Sequence, residues 1–195
     1  MEVRSVHEIL VKVPKTYEDT IKCGNIELYL DTRFNDVKHT IRYGEVVSSP
    51  DKRFATGDII YFHHNIVRRI RTMSGKEKDA PSILDDIFHV PTSGVYAFKR
   101  NGVFKTIPPY CFIKPYPKIK RESPIEIITD ETDGNQKGEE RQWGIVKYGN
   151  EELEEQGVKE GDIIIFNKDS EYEYPIDGEK LYLMETGWIV AHVRI

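Results

Sequence analysis

The chain has little of what chemistry usually needs. It has two cysteines, Cys23 and Cys111, far apart and outside any Cys-x-x-Cys or Cys/His ligand spacing. A structural metal is therefore not expected, and a reducing, cytosolic setting is the default. No Ser/His/Asp grouping, carboxylate pair or glycine-rich phosphate loop occurs, and the glycines stand singly at turns. The expectation is a non-enzyme without a cofactor. No stretch approaches the roughly 18 consecutive apolar residues of a membrane span. The segment Met1-Glu2-Val3-Arg4-Ser5-Val6-His7 lacks the apolar core of a signal peptide. A strand pattern begins at Glu8-Ile9-Leu10-Val11-Lys12-Val13, which leaves little room for an organelle transit peptide. Lys and Arg total 28 against 33 Asp and Glu, a net charge of −5. A mildly acidic chain is a poor generic partner for nucleic acid, because phosphate neutralisation needs clustered Lys and Arg.

What is present is bulky and β-forming. Eleven Tyr, 8 Phe and 2 Trp supply enough apolar surface to exclude disorder. Charged residues at 31% are many for one deep core and suit small β-barrels with a high surface-to-volume ratio. Short runs of β-formers are punctuated by turns, with Gly57-Asp58 and Gly161-Asp162 each opening such a run. Asn101-Gly102 is a two-residue hairpin signal between Val95-Tyr96-Ala97-Phe98 and Val103-Phe104-Lys105-Thr106-Ile107. One helical turn or two is predicted around Ser82–Phe88, where apolar residues at 83, 84, 87 and 88 share a helical face.

The runs repeat in order. Leu10-Val11-Lys12 answers Phe112-Ile113-Lys114 at an offset of 102, and Asn25–Leu28 answers Pro124–Ile127 at 99. Tyr43-Gly44-Glu45-Val46 answers Trp143-Gly144-Ile145-Val146 at 100, and Gly57–Phe62 answers Gly161–Phe166 at 104. Tyr96-Ala97-Phe98 aligned with Tyr182-Leu183-Met184 gives 86, which implies an 18-residue surplus in copy one, within 63–94. The predicted architecture is all-β, two tandem, partly open barrels over 1–108 and 109–195, joined at Pro108-Pro109.

Other features have bland readings. His63-His64 would point to opposite faces of a strand and so would not converge on an ion. Val67-Arg68-Arg69-Ile70-Arg71 is a short basic run that offers a phosphate contact or, more simply, a solvated insertion loop, and Glu151-Glu152-Leu153-Glu154-Glu155 reads as a solvated turn. Cys23 has nothing basic fixed beside it to activate the thiol. Trp143 and Trp188 read as core or barrel-to-barrel contacts. Residues 129–142 contain no apolar side chain up to Gln142 and read as a loop that cannot settle on a core.

The second copy resembles GroES, the small chaperonin subunit, over most of its length. The resemblance rests on Trp143–Asn150, Val158–Asn167, Gly178–Glu185 and Trp188–Ala191, in the family's order. Copy one resembles the same template through Val6–Lys12, Gly44-Glu45-Val46 and Thr56–Phe62. The resemblance implies tandem GroES-like barrels that assemble into a ring and cap a GroEL-type chaperonin, which would bind and hydrolyse the ATP. It implies a long loop after the first strand carrying a hydrophobic tripeptide, here Ile26-Glu27-Leu28 and Ile125-Glu126-Ile127. Burying two Ile side chains would contribute about 1.5–3 kcal/mol each. Ordering a loop costs about 2–5 kcal/mol, so single loops would bind weakly and a ring by avidity. The implied setting is the cytoplasm of a bacterium or of a phage-infected host.

Two departures stand out. The interval between the Gly-x-Val and Gly-Asp strands is short in both copies, so the family's roof hairpin is missing. Four double-barrel chains give eight barrels and seven give fourteen, and neither matches a seven-fold chaperonin ring one to one. The rival reading is a bacterial or phage structural or assembly protein that reuses the barrel without chaperonin binding. A GroES-like domain of the alcohol dehydrogenase kind would bring zinc ligands and a nucleotide-binding domain, and the sequence shows neither.

Overall fold

The structure, a computed structural model, describes residues 3–33, 35–118 and 138–193. The chain divides into two compact units, Met1–Lys105 and Thr106–Ile195. The division falls just ahead of Pro108-Pro109, whose peptide bond is cis.

The first unit runs β1 (Ile9–Lys12), β2 (Thr20–Cys23), β3 (Ile26–Tyr29), α1 (Asp36–His39), β4 (Tyr43–Ser48), β5 (Ile59–Phe62), β6 (Ile70–Arg71), β7 (Glu77–Lys78), β8 (Ile87–Val90), β9 (Val95–Arg100) and β10 (Val103–Thr106). Its six-stranded sheet has the order β10-β9-β5-β4-β1-β8, while β2-β3 and β6-β7 form two-stranded sheets of their own. The second unit runs β11 (Tyr110–Pro117), β12 (Glu139–Tyr148), α2 (Glu151–Glu155), β13 (Ile163–Phe166), β14 (Tyr172–Glu173), β15 (Tyr182–Glu185) and β16 (Ile189–Val193). Its sheet has the order β14-β15-β11-β12-β13-β16. The fold is thus all-β, and neither sheet closes into a barrel among the described residues.

The two sheets share one topology. The path β9-β5-β4-β1-β8 is repeated as β16-β13-β12-β11-β15, with every neighbouring pair antiparallel. Register agrees as well as order. Val11 faces Val46 as Ile113 faces Val146, and Gly44 faces Ile60 as Gly144 faces Ile164. Ladder irregularities fall at equivalent steps, Leu10/Val11 with Phe112/Ile113 and Tyr61/Phe62 with Ile165/Phe166.

The Gly-Asp turns match bond for bond. The Gly57 N–H donates to Val46 at 2.9 Å and the Val46 N–H to the Asp58 carbonyl at 2.8 Å. Gly161, Val146 and Asp162 repeat this at 2.8 and 3.0 Å. Both glycines take φ of +90°, a region other residues reach only with strain.

Gly44 and Gly144 serve a different need, close approach. A Cβ at Gly44 would lie 2.8 Å from Val13 Cγ2 and 3.0 Å from the Lys12 carbonyl oxygen. At Gly144 it would lie 2.2 Å from Ile113 Cγ2 and 3.1 Å from the Lys114 carbonyl oxygen. Each sheet folds tightly over its first strand at the glycine of its Gly-x-Val segment.

The cores lie on the inward faces of these strands. Ile9, Val11, Val46, Ile60, Phe62, Phe88, Val90 and Val95 are buried in the first unit. Cys111, Ile113, Val146, Leu153, Val158, Ile164, Phe166, Tyr182 and Met184 form one cluster in the second.

Several expectations are corrected. Ser82–Phe88 contains no helix: Leu84 bridges to Ile87, and β8 starts there. Helical turns occur instead at Asp36–His39 and at Glu151–Glu155. The latter is no solvated turn, because Leu153 is fully buried and Asn150 caps it by accepting the Leu153 N–H at 2.9 Å. Gln142 and its neighbours from Glu139 belong to β12 and not to a loop. Trp188 is exposed and Trp143 half-buried against Tyr116. The last repeat pairing also shifts. Phe88 pairs with Val11 as Tyr182 pairs with Ile113, and Ala97 pairs with Tyr61 as Ala191 pairs with Ile165. The offset there is 94, and the surplus in copy one shrinks from 18 residues to 10.

Candidate functional site

The long connection from β1 to β4 rises from the first sheet as a hairpin. Gly24 (φ +61°) and Asn25 form its two-residue turn. Thr20 faces Tyr29, Ile21 faces Leu28, Lys22 faces Glu27 and Cys23 faces Ile26. Alternation therefore places Ile21, Cys23, Ile26 and Leu28 on one face, and Thr20, Glu27 and Tyr29 on the other.

The apolar face has no cover among the described residues. Ile26 is 63% exposed, and Ile21 and Leu28 are each 48% exposed. Cys23 is exposed too. Apolar side chains gathered on one projecting face mark an interaction surface, where scattered ones would not.

The base of the hairpin is fixed while its tip stands free of the core. The Leu30 N–H donates to the Asp19 carbonyl at 2.7 Å, and the Glu18 N–H to the His39 carbonyl at 2.8 Å. Tyr17 bridges to Thr40 and is buried. Its hydroxyl accepts the Arg69 N–H at 2.6 Å, and the Arg69 guanidinium lies 4.4 Å from its ring centre. A side chain from the segment after β5 thus clamps the foot of the hairpin.

The predicted tripeptide Ile26-Glu27-Leu28 is β3 itself. The structure keeps Ile26 and Leu28 together and puts Glu27 on the opposite face. Ile21 and Cys23, outside the predicted tripeptide, join the surface. The signal was present in the alternation Ile21-Lys22-Cys23 before Gly24-Asn25 and Ile26-Glu27-Leu28 after it. In the second unit the corresponding connection is closed at its foot by the Lys118 N–H, which donates to the Gly138 carbonyl at 2.8 Å. Ile125, Glu126 and Ile127 lie outside the described residues.

His63 and His64 do not diverge as a strand would make them. A 3₁₀ turn at His64–Ile66 stacks their rings 4.0 Å apart, and burial pushes the His64 imidazole down to about 4. No group of three or more His, Cys, Asp or Glu side chains gathers to hold a metal among the described residues. Burial pushes the Cys111 thiol up to about 12. No helix among the described residues is long and apolar enough to cross a membrane. No family model matches the chain, and none of the curated proteins matches it.

Proposed function

We propose that the protein is a co-chaperonin of the GroES type, which docks on a GroEL-type chaperonin through the apolar face of the β2-β3 hairpin. The observation that carries this reading is the position of that face. It projects from the connection after the first strand of a twice-used sheet, where the resemblance puts the chaperonin-binding loop. Ile21, Ile26 and Leu28 are about half exposed, so covering each contributes roughly 1 kcal/mol. The sum is a weak single contact. Strand pairing has already ordered much of the loop, which reduces the entropy lost on docking. Several copies in a ring turn weak contacts into firm but reversible capture. The ring would form through open sheet edges: β16 pairs only with β13 and β8 only with β1 among the described residues. ATP turnover would belong to the chaperonin.

The rival, an assembly protein that has kept the fold alone, draws on one observation. No strand stands between β4 and β5 in the first unit or between β12 and β13 in the second, so a roof hairpin is lacking. One experiment separates the readings. Purified protein is mixed with a GroEL-type chaperonin, with and without ATP, and the complex is sought by sedimentation. Complex formation that needs ATP and is lost in Ile26→Asp establishes the co-chaperonin. A folded wild type that never associates leaves the assembly role.

A further inference from the structure

Arg33, from the segment after β3, meets Arg68 and Arg69, from the segment after β5, around a cleft of about 560 Å³ on the first unit. Asn65, Asp36 and Glu77 complete its polar lining. Arg68 and Arg69 are adjacent in sequence, and the fold brings a third arginine to them from 35 residues away.

The arginines are held in place and only partly used. Arg68 donates from Nε to Asp36 at 2.7 Å, and its two Nη groups have no partner among the described residues. Arg33 donates from Nε and Nη2 to Asp31 at 2.9 and 2.8 Å, which leaves Nη1. Arg69 lies over Tyr17, pairs through Nε with Asp79 at 3.9 Å and reaches Thr32 from Nη1 at 3.4 Å, which leaves Nη2 among the described residues. Asp31, Asp36 and Asp79 relieve the repulsion among the three cations. A guanidinium carries five N–H donors, and one carboxylate occupies two at most. The spare donors form a basic fork built from two separate chain segments.

We propose that this cleft binds a small phosphomonoester carrying hydroxyl groups, of the sugar-phosphate class. Three guanidinia around one cleft suit a tetrahedral dianion, whereas a planar carboxylate would fill one fork alone. Asp36, Glu77 and the Asn65 side chain then accept from ligand hydroxyls. Among the described residues Ile70 is the one apolar residue lining the cleft and no aromatic ring lines it, so a stacked nucleobase has no platform among them. The volume falls in the range of roughly 300–1,000 Å³ common to small-molecule sites.

Isothermal titration calorimetry of the full chain at constant ionic strength tests the assignment, with glucose 6-phosphate, inorganic phosphate and adenosine monophosphate as separate probes. Glucose 6-phosphate is expected to bind saturably and more tightly than either of the others. Arg33→Gln and Arg68→Gln are each expected to weaken it by about tenfold or more, the loss of one charge-assisted bond. Arg33 is largely exposed and pairs only with exposed Asp31, so its variant keeps the fold even if Arg68→Gln does not. No saturable binding, or binding that Arg33→Gln leaves unchanged, overturns the site. Equal affinity for inorganic phosphate or for the nucleotide overturns the sugar-phosphate assignment. Chaperonin capture plays no part in this readout, so the two proposals fail separately.

Discussion

The Arg100 guanidinium closes on the Asp58 carboxylate through two N–H bonds, Nε to Oδ1 at 2.8 Å and Nη2 to Oδ2 at 2.7 Å. Asp58 also accepts the Ala55 N–H at 2.8 Å and is almost wholly buried. One carboxylate thus joins the Gly-Asp turn before β5 to the end of β9. Asp162 repeats the turn half of the arrangement by accepting the Lys159 N–H at 2.9 Å.

Removing that carboxylate destabilises the first unit. In Asp58→Ala the Ala55 N–H loses its acceptor, which alone costs about 1–3 kcal/mol. Urea denaturation followed by circular dichroism should show a lower midpoint for the first unit's transition.

Acid should weaken both units. The Arg100 hydrogen bonds hold the Asp58 carboxyl below the usual range, as Arg53 does for Asp51 and as Lys114 and then Lys147 do for Glu179. A carboxyl with a lowered folded pKa contributes its stability above its unfolded value, near 3.9 for Asp. That contribution disappears as pH falls through the folded value. The melting temperature should hold at pH 5 and above and drop as pH falls below about 4. Asp58→Asn should flatten the decline.

Gly144→Ala should destabilise the second unit by about 1–3 kcal/mol, the usual cost of overpacking. A new Cβ would collide with Ile113 and the Lys114 carbonyl, and backbone cannot step aside as a flexible side chain can. Both tryptophans, Trp143 and Trp188, lie in the second unit. Fluorescence-detected unfolding should therefore show the loss directly.

The hairpin faces predict a pattern of binding defects. Ile21→Asp and Leu28→Asp should each weaken chaperonin capture by about tenfold or more, since each places a charge in the contact. Glu27→Ala should change it little, because Glu27 is on the other face. None of the three should shift the melting temperature appreciably, as all three positions are exposed.

The two thiols should react in two steps. Cys23 is exposed and Cys111 is buried with its thiol pushed up to about 12. A colorimetric thiol reagent should consume one equivalent per chain in the native state and the second only in denaturant.

Strand content, the Asn101-Gly102 turn, the paired Gly-Asp turns and most of the repeat were determined by the sequence itself. These features are local: a left-handed turn needs glycine or asparagine, and a pleated ladder needs β-formers wherever the chain goes. The offsets of 102, 100 and 104 survive as equivalences of register. Tertiary structure alone decided the rest. Tyr96-Ala97-Phe98 and Phe88-His89-Val90 look alike as strands, and only their partners, β5 for the one and β1 for the other, show which copy-two strand each answers. Leu153 alone among four glutamates gives no helical face to read, yet one buried side chain and an Asn150 cap hold the turn. Arg33 and Arg68 meet across a chain separation that no periodicity spans. Local chemistry chose the strands and their turns, and long-range pairing chose which side chains share a face or a cleft.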